Sequence, residues 1–209
     1  MPCAGYEHVV QIGFGKSGTT SVNAFFESLG YNTTCYEVRQ IAEALEAGEP
    51  PMARTRRACQ GSRGGFFVKE LWGVYFPEDN FQFQLSHMNP IRRDLGPRTL
   101  FVHCERDQSA WLRSVTAWGD LRQRLTTRDV EGLPAGRGRT DDELALWYAG
   151  INAYLQFAFR WRPNYARVNF DEPDSLAALA ALCGAEGYKF MQYNANPRSK
   201  NRAPASLSR

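Results

Sequence analysis

The chain has 209 residues, of which 43% are hydrophobic, and this length suits one α/β domain while leaving little room for a second. Its formal net charge of +3 suits an anionic ligand but falls short of the concentrated basic face of a nucleic-acid-binding protein. No apolar run approaches the roughly 18 residues of a membrane span, and a strand is predicted too near the N-terminus for a signal peptide. We therefore expect a cytoplasmic protein that contacts neither nucleic acid nor a membrane.

The five cysteines are scattered, and no pair of them has the spacing of a redox or zinc motif. They are Cys3, Cys35, Cys59, Cys104 and Cys183. The three histidines are equally dispersed. We expect neither a disulfide framework nor a bound metal, and the sequence does not indicate an oligomeric state.

The first predicted element is a strand that leads into a phosphate-binding loop. An apolar run at 9–12 precedes the loop residues Gly15, Lys16, Ser17, Gly18, Thr19 and Thr20. Backbone N–H groups, a helix N-terminus and one ammonium would meet there at a single point, which is how proteins bind phosphate. The nucleotide-triphosphate motif G-x-x-x-x-G-K-[ST] would need a glycine at Val10 to pair with Lys16, so we interpret this loop as too short for that motif.

The next segments alternate between helix and strand. The predictions are a helix at 20–29 ended by Gly30, a β-prone segment at 31–37, a helix at 38–47, a strand at 66–70 and a loop or short helix at 72–90. A Pro- and Arg-rich stretch separates the second helix from the strand. We expect its basic residues to form a solvated loop; they are Arg54, Arg56, Arg57 and Arg63.

A second anion-binding pattern lies in the middle of the chain. A buried strand is predicted at 99–104, and Arg106 follows it directly, before a helix from about Gln108. Ser114 comes eight residues after Arg106, two turns into that helix. Because open α/β sheets bind ligands at the carboxyl ends of their strands, both side chains could reach one anion there.

The C-terminal third completes the alternation. The predictions are a polar loop at 128–139, a helix at 141–161, a strand at 166–170, a helix at 175–183 and a basic, mobile tail at 194–209. Thr140 and Glu143 form a capping box at the start of the long helix. The alternation favours a mainly parallel sheet with helices on both faces.

The K-S-G-T-T loop and the Arg106–Ser114 pair, in this order, resemble the sulfotransferases that use 3′-phosphoadenosine 5′-phosphosulfate (PAPS). The resemblance implies one sulfotransferase-like domain over 1–209, of the α/β class: a three-layer P-loop sandwich with a mainly parallel central sheet flanked by helices. It implies transfer of a sulfuryl group from PAPS to a hydroxyl or amine of a small-molecule or carbohydrate acceptor by in-line displacement. The product is 3′-phosphoadenosine 5′-phosphate (PAP), and no metal takes part.

The resemblance also implies roles for individual residues. The loop residues would hold the 5′-phosphosulfate, with Lys16 at the bridging oxygen, and Arg106 and Ser114 would hold the 3′-phosphate. The family's basic R-K-G-x-x-G segment near the C-terminus is missing here. Lys200 and Arg202 in the tail are candidates to contact the donor in its place.

Glu37, Lys69 and His87 compete for the role of the base that takes the acceptor's proton, and Glu70 is a further candidate. Glu37 lies near the position of the glutamate base of glycan sulfotransferases, and Lys69 falls where that branch carries a lysine. His87 resembles the histidine base of the cytosolic branch, but that histidine should follow Lys69 closely, where this chain has Glu70. We rank Glu37 first, His87 second and Glu70 third.

Two other function classes remain open. A P-loop kinase would share the anion loop but needs a carboxylate for Mg²⁺ at a strand end, and Glu105 and Asp107 are weak substitutes. A non-catalytic module that binds PAP or another nucleotide would need Lys16 and Arg106 but not Glu37 or Lys69. Mg²⁺ dependence would distinguish the first, and turnover would distinguish the second.

Overall fold

The computed structural model describes residues 3–34, 38–59, 66–74 and 81–191. Within these ranges the protein forms one sheet of four parallel strands, in the order β2-β1-β3-β4. The strands are β1 (His8–Gln11), β2 (Phe67–Glu70), β3 (Thr99–Glu105) and β4 (Tyr165–Asn169). The predicted α/β class and parallel sheet are confirmed.

The same ranges contain nine α-helices and one short 3-10 helix, Cys3–Gly5. The α-helices are α1 (Thr19–Ser28), α2 (Arg39–Glu46), α3 (Ala53–Cys59), α4 (Phe83–Ser86), α5 (Met88–Leu95), α6 (Gln108–Thr116), α7 (Leu121–Thr127), α8 (Asp141–Phe159) and α9 (Pro173–Leu182). The predicted capping box opens α8, because the Glu143 N–H donates to Thr140 Oγ1 at 3.2 Å while the Glu143 carboxylate accepts from the Thr140 N–H at 3.5 Å.

Helices cover both faces of the sheet and bury a separate core on each. Alternate strand residues point to opposite faces, so Val9 packs with α1 and α9 while Val10 packs with the other helix layer. All seven residues of β3 are buried. A strand buried on both faces reads as a continuous apolar run, which is why its position was predictable.

The strand order creates a switch point at the carboxyl end of β1. The connection after β1 leads to β2 on one side, whereas the connection after β2 crosses over to β3 on the other side. Ligands of open α/β sheets bind in the crevice at such a reversal. The loop after β1 and the segment after β3 meet at this crevice.

The structure overturns one local prediction and adds helix in two places. The Arg-rich stretch is not a solvated loop, because α3 carries three of its arginines and each forms an ion pair: Arg54 with Glu43, Arg56 with Asp94 and Arg57 with Glu49. The segment before β3 is more helical than expected, since α5 continues to Leu95. Helix α7 was not predicted at all. Arg63 and residues 35–37 of the β-prone segment lie outside the described residues. Within the described part of that segment, 31–34, Asn32 forms an isolated bridge to Phe67 and no longer strand is present.

The expectation of no disulfides is also contradicted. Cys3 and Cys183 form a disulfide that joins the N-terminal 3-10 helix to the end of α9. Cys59 is disulfide-bonded as well, whereas Cys104 is a buried free thiol. Partners far apart in sequence carry no spacing signal, so the pairing could not be predicted. No helix in the described ranges is long and apolar enough to cross a membrane.

Candidate functional site

The loop between β1 and α1 is shaped by two glycines. Gly13 lies so close to β3 that a Cβ there would be 2.2 Å from the Cys104 carbonyl oxygen. Gly18 has a φ of 94° and is the N-cap of α1, to which it offers no side-chain hydrogen bond. The first N–H groups of any α-helix lack intrahelical acceptors, so the start of α1 presents a site for an anion.

Lys16 lies in the middle of this loop, with a φ of 69° that non-glycine residues rarely adopt. Its Nζ is 3.4 Å from the centroid of the Trp118 ring, which is a cation–π contact. Burial, and to a smaller degree the positive charge of Arg106, lowers the pKa of Lys16 to about 8. The two cations therefore lie close enough to repel each other, and an anion between them would stabilise both.

Two aromatic residues tie the loop to the segment after β3. The Tyr148 hydroxyl donates to the Arg106 carbonyl at 3.1 Å and lies 3.3 Å from Ser17 Oγ. The Trp111 ring stacks on Tyr148 at 4.3 Å, and its Nε1 donates to the Gly15 carbonyl at 3.1 Å. The site is therefore preorganised by α6 and α8, whose roles no spacing in the sequence indicated.

Arg106 leaves β3 at the crevice, and its backbone N–H donates to the Tyr148 hydroxyl at 3.1 Å. Its side-chain Nε is buried without a hydrogen-bond partner in the described part of the protein. A buried guanidinium N–H without an acceptor is costly, so this donor fits a bound anion. Ser114 is buried on α6, the helix that Asp107 caps immediately after Arg106.

A carboxylate with an amide and a hydroxyl, rather than cations, occupies the β2 side of β1. Glu70, the last residue of β2, lies opposite Gln11 in the parallel register. The Asn23 amide donates to Glu70 Oε1 at 2.9 Å, and the Thr19 side chain also hydrogen-bonds this carboxylate. Burial nevertheless raises the pKa of Glu70 to about 7. A carboxyl group that titrates near neutral pH thus lies against the first residue of α1.

A family model described as a sulfotransferase domain matches residues 8–162, more than half of the 209 residues. The chain belongs to the sulfotransferase family. Its activity is therefore sulfotransferase activity in general. The matched region runs from β1 through α8, so it includes the loop after β1 and Arg106. A comparison with curated proteins found no match.

The loop of this sulfotransferase domain corrects one sequence argument. Counted from Gly13, the spacing to Gly18 is that of G-x-x-x-x-G, and α1 begins at Thr19 directly afterwards. The loop is therefore not too short for the triphosphate motif. Instead, Thr19 stands where that motif has its lysine, and Lys16 lies earlier in the loop. The Gly13–Gly18 spacing is visible in the sequence, but aligning Lys16 with the lysine of the motif concealed it.

Lys69 and Glu70 are neighbours in sequence but face opposite layers. Lys69 shares its face with Phe67, is fully buried, and its Nζ lies 3.4 Å from Gln40 Oε1 on α2. Glu70 shares its face with Val68 and contacts α1. The alternation of a strand separates the two groups, so they cannot act as a pair on one side of the sheet.

The remaining predicted site residues are not brought to the loop by the described structure. His87 separates α4 from α5, and its ring packs edge-on against Phe83 with centroids 5.5 Å apart. Glu37, Lys200 and Arg202 lie outside the described residues, as does the predicted tail. Within the described ranges no group of three His, Cys, Asp or Glu side chains could hold a metal ion.

Proposed function

We propose that this protein is a PAPS-dependent sulfotransferase acting on a hydroxyl or amine of a small-molecule or carbohydrate acceptor. The supporting observation is the unpartnered Nε of Arg106 beside Lys16 at the switch point between β1 and β3. PAPS supplies a sulfuryl group activated by its link to a phosphate. A donor with one phosphate near the loop and another near Arg106 would fit both cationic groups.

The proposed donor contacts follow the order of the chain. The amides at the start of α1 and the hydroxyls of Thr19 and Thr20 would hold the 5′-phosphate. Arg106 and Ser114 would hold the 3′-phosphate. Tyr148 and Trp111 orient these groups, because they link the loop to the segment after β3.

The proposed catalytic roles concern charge and proton movement. Lys16 would stabilise the negative charge that develops on the bridging oxygen as the bond to sulfur breaks. Glu37 would accept the acceptor's proton, with Lys69 beside the reacting groups, while His87 and Glu70 are the alternative bases.

One observation favours a P-loop kinase as the second candidate. Glu70 lies at the end of the strand next to β1 and contacts Thr19, which precedes Thr20, the residue at the position of the motif's Mg²⁺-binding hydroxyl. Against this, Thr19 replaces the lysine that the triphosphate motif requires. Glu105 is unsuited to Mg²⁺, because Arg167 Nε donates to its carboxylate at 2.7 Å.

Two further sequence expectations stand as proposals. We retain one sulfotransferase-like domain over 1–209. The cytoplasm remains the expected location from the sequence, but the Cys3–Cys183 disulfide counts against it, since disulfides persist mainly in oxidising compartments.

Titration calorimetry with PAP and with ATP, each with and without Mg²⁺, tests the donor. We expect PAP to bind in preference to ATP and without metal, because ATP lacks a 3′-phosphate. Equal affinity for ATP, or strict dependence on Mg²⁺, would favour the kinase. PAP binding without any sulfuryl transfer to a panel of phenols, amines and sugars would favour a non-catalytic module.

Replacement of Arg106 by alanine sharpens this test. We expect PAP affinity to weaken by roughly 1.5–3 kcal/mol, the scale of a hydrogen bond to a charged group. Arg113→Ala is the matched control, because Arg113 is an exposed arginine on the same helix, α6. If both variants bind PAP like the parent, the proposed 3′-phosphate site is wrong.

A further inference from the structure

Helix α8 is apolar on its exposed side as well as on its buried side. No charged residue occurs from Leu144 to Phe159. On the exposed side, Leu146 is 75% exposed, Phe157 is 68% exposed and Trp161, just beyond the helix, is 80% exposed. A helix with apolar residues on all sides is normally covered, and a contiguous exposed apolar patch usually marks an interaction surface.

The two halves of this exposed face have opposite shapes. Beside the N-terminal half lies an open groove of about 390 Å³. Its lining is mainly apolar and includes Leu133, Leu146, Trp147 and Ile151, and the charged residues Arg137 and Glu143 also line it. Beyond Gly150, where a Cβ would meet only open space, the large side chains of Tyr154, Phe157 and Trp161 project from the surface. The groove and the projecting side chains could fill each other only across two molecules.

The charges at the ends of α8 are also opposite. The first turn carries Asp142, which forms no ion pair within the described residues. At the other end, the recorded contacts of Arg160 are with the rings of Phe157 and Trp161. An antiparallel pair of α8 helices would bring each acidic end against a basic end.

The C-terminal tail of the same chain suits this surface less well. It begins after Met191, and the preceding Phe190 packs on Phe25 in the layer of α1 and α9, across the sheet from α8. The tail sequence from 194 is polar and basic. It offers few apolar groups to an apolar groove.

We propose that two copies of this chain associate through α8, antiparallel about a two-fold axis near Ile151. Phe157 and its aromatic neighbours on one copy occupy the groove of the other, and Gly150 allows the helices to approach closely. Asp142 then lies near the partner's Arg160, and the reverse pair is made by symmetry. The face is about 22 Å long, which places the contact at the small end of stable interfaces. This surface is independent of sulfuryl transfer.

Sedimentation equilibrium of the full chain tests the surface. We expect a reversible dimer whose dissociation constant rises about 30-fold or more in Phe157→Glu, since the aromatic anchor that fills the partner's groove is replaced by a charge. Met191→Glu is the matched control and should dimerise like the parent, because Met191 is 59% exposed and follows Phe190, which packs in the layer of α1 and α9. A monomeric parent overturns the proposal. If that monomer binds phosphatidylcholine vesicles, the face belongs to a membrane.

A charge exchange tests the antiparallel arrangement and does not depend on the Phe157 variant folding. Asp142→Arg alone and Arg160→Asp alone each place like charges together twice per dimer, so each should dimerise about tenfold more weakly or worse. An equimolar mixture of the two variants restores opposite charges at both contacts and should recover the parent's affinity. A mixture that stays as weak as its components overturns the arrangement.

Discussion

Strand β1 has polar groups on both sides of its carboxyl end, and the two sides differ in charge. On the β3 side, Lys16 and Arg106 are cations held by aromatic residues. On the β2 side, Glu70 is a carboxylate held by an amide and a hydroxyl. Burial disfavours the charged form on both sides: the pKa of Lys16 falls to about 8 and the pKa of Glu70 rises to about 7.

The difference shows what each side could gain from a ligand. An anion at the β3 side would stabilise the charged forms of Lys16 and Arg106, which burial and mutual repulsion disfavour. An anion near Glu70 would only add repulsion, whereas a proton relieves the cost of burying that carboxylate. The β3 side is therefore suited to bind the donor, and the β2 side is suited to hold a proton.

The largest expected effect concerns the base. Glu37→Gln keeps the side chain's size but removes its ability to accept a proton, so kcat should fall by roughly 10²–10⁴ while PAP affinity holds. The measurement is steady-state turnover together with calorimetry. Glu70→Gln and His87→Ala are the matched comparisons, and each should cost less than about tenfold. An active Glu37→Gln enzyme beside an inactive Glu70→Gln enzyme would move the base to the β2 side of β1.

The next effect concerns the cations on the β3 side. Lys16→Ala should lower kcat by roughly 100-fold or more, the cost of losing one group that stabilises developing charge. Lys16→Arg should rescue turnover poorly, because a planar guanidinium does not place its charge as an ammonium does. Lys189→Ala is the control, because Lys189 is an exposed lysine near the end of the described chain, between Tyr188 and Phe190 in the layer of α1 and α9. This variant should keep the parent's kcat.

The pH profile of the parent checks the same residue. Since the pKa of Lys16 is lowered to about 8, kcat/KM for the donor should decline as the pH rises above that value. The decline should be absent from the residual activity of Lys16→Ala. Near-normal turnover in either Lys16 variant would remove Lys16 from the bridging oxygen.

The smallest effect is on stability. The pKa of Glu70 is raised in the folded protein to about 7, so the folded state binds more protons than the unfolded state between roughly pH 4.3 and 7. The contribution of Glu70 to the free energy of unfolding therefore falls as the pH rises through this range, by at most roughly 4 kcal/mol, and is flat above it. Urea unfolding of the parent and Glu70→Gln at pH 5 and pH 8 measures this. If the difference in the free energy of unfolding between the parent and Glu70→Gln is the same at pH 5 and pH 8, the raised pKa of Glu70 is contradicted.

Periodic and capping signals predicted most of the fold. The buried run of β3 and the Thr140–Glu143 capping box led to elements that the structure confirms within a few residues. The Arg-rich helix α3 was missed because its arginines looked solvated in the sequence, whereas in the structure Arg54 pairs with Glu43 of α2 and Arg56 pairs with Asp94, which are tertiary contacts. The residues near Arg54 and Arg56 in sequence do not indicate that Glu43 and Asp94 will pair with them.

The candidate site was predictable in part for a related reason. The loop and Arg106 follow strands directly, and strand ends meet at one edge of a parallel sheet. Tyr148 lies on α8 and Trp118 lies in the turn after α6, both far along the chain from the loop, and only tertiary packing brings them to it. Glu70 is the third-ranked base because only its position directly after Lys69 pointed to it; its place beside β1 and its contact with Thr19 are tertiary features.

The Cys3–Cys183 disulfide makes the polypeptide a closed ring in topological terms. Its two partners are 180 residues apart, so nearly every loop of the protein lies inside the ring. A protease that cuts the connection between α7 and α8 leaves two pieces that stay covalently joined. The two fragments can separate only after the disulfide is reduced. A single cleavage in this protein therefore breaks the backbone without dividing the molecule.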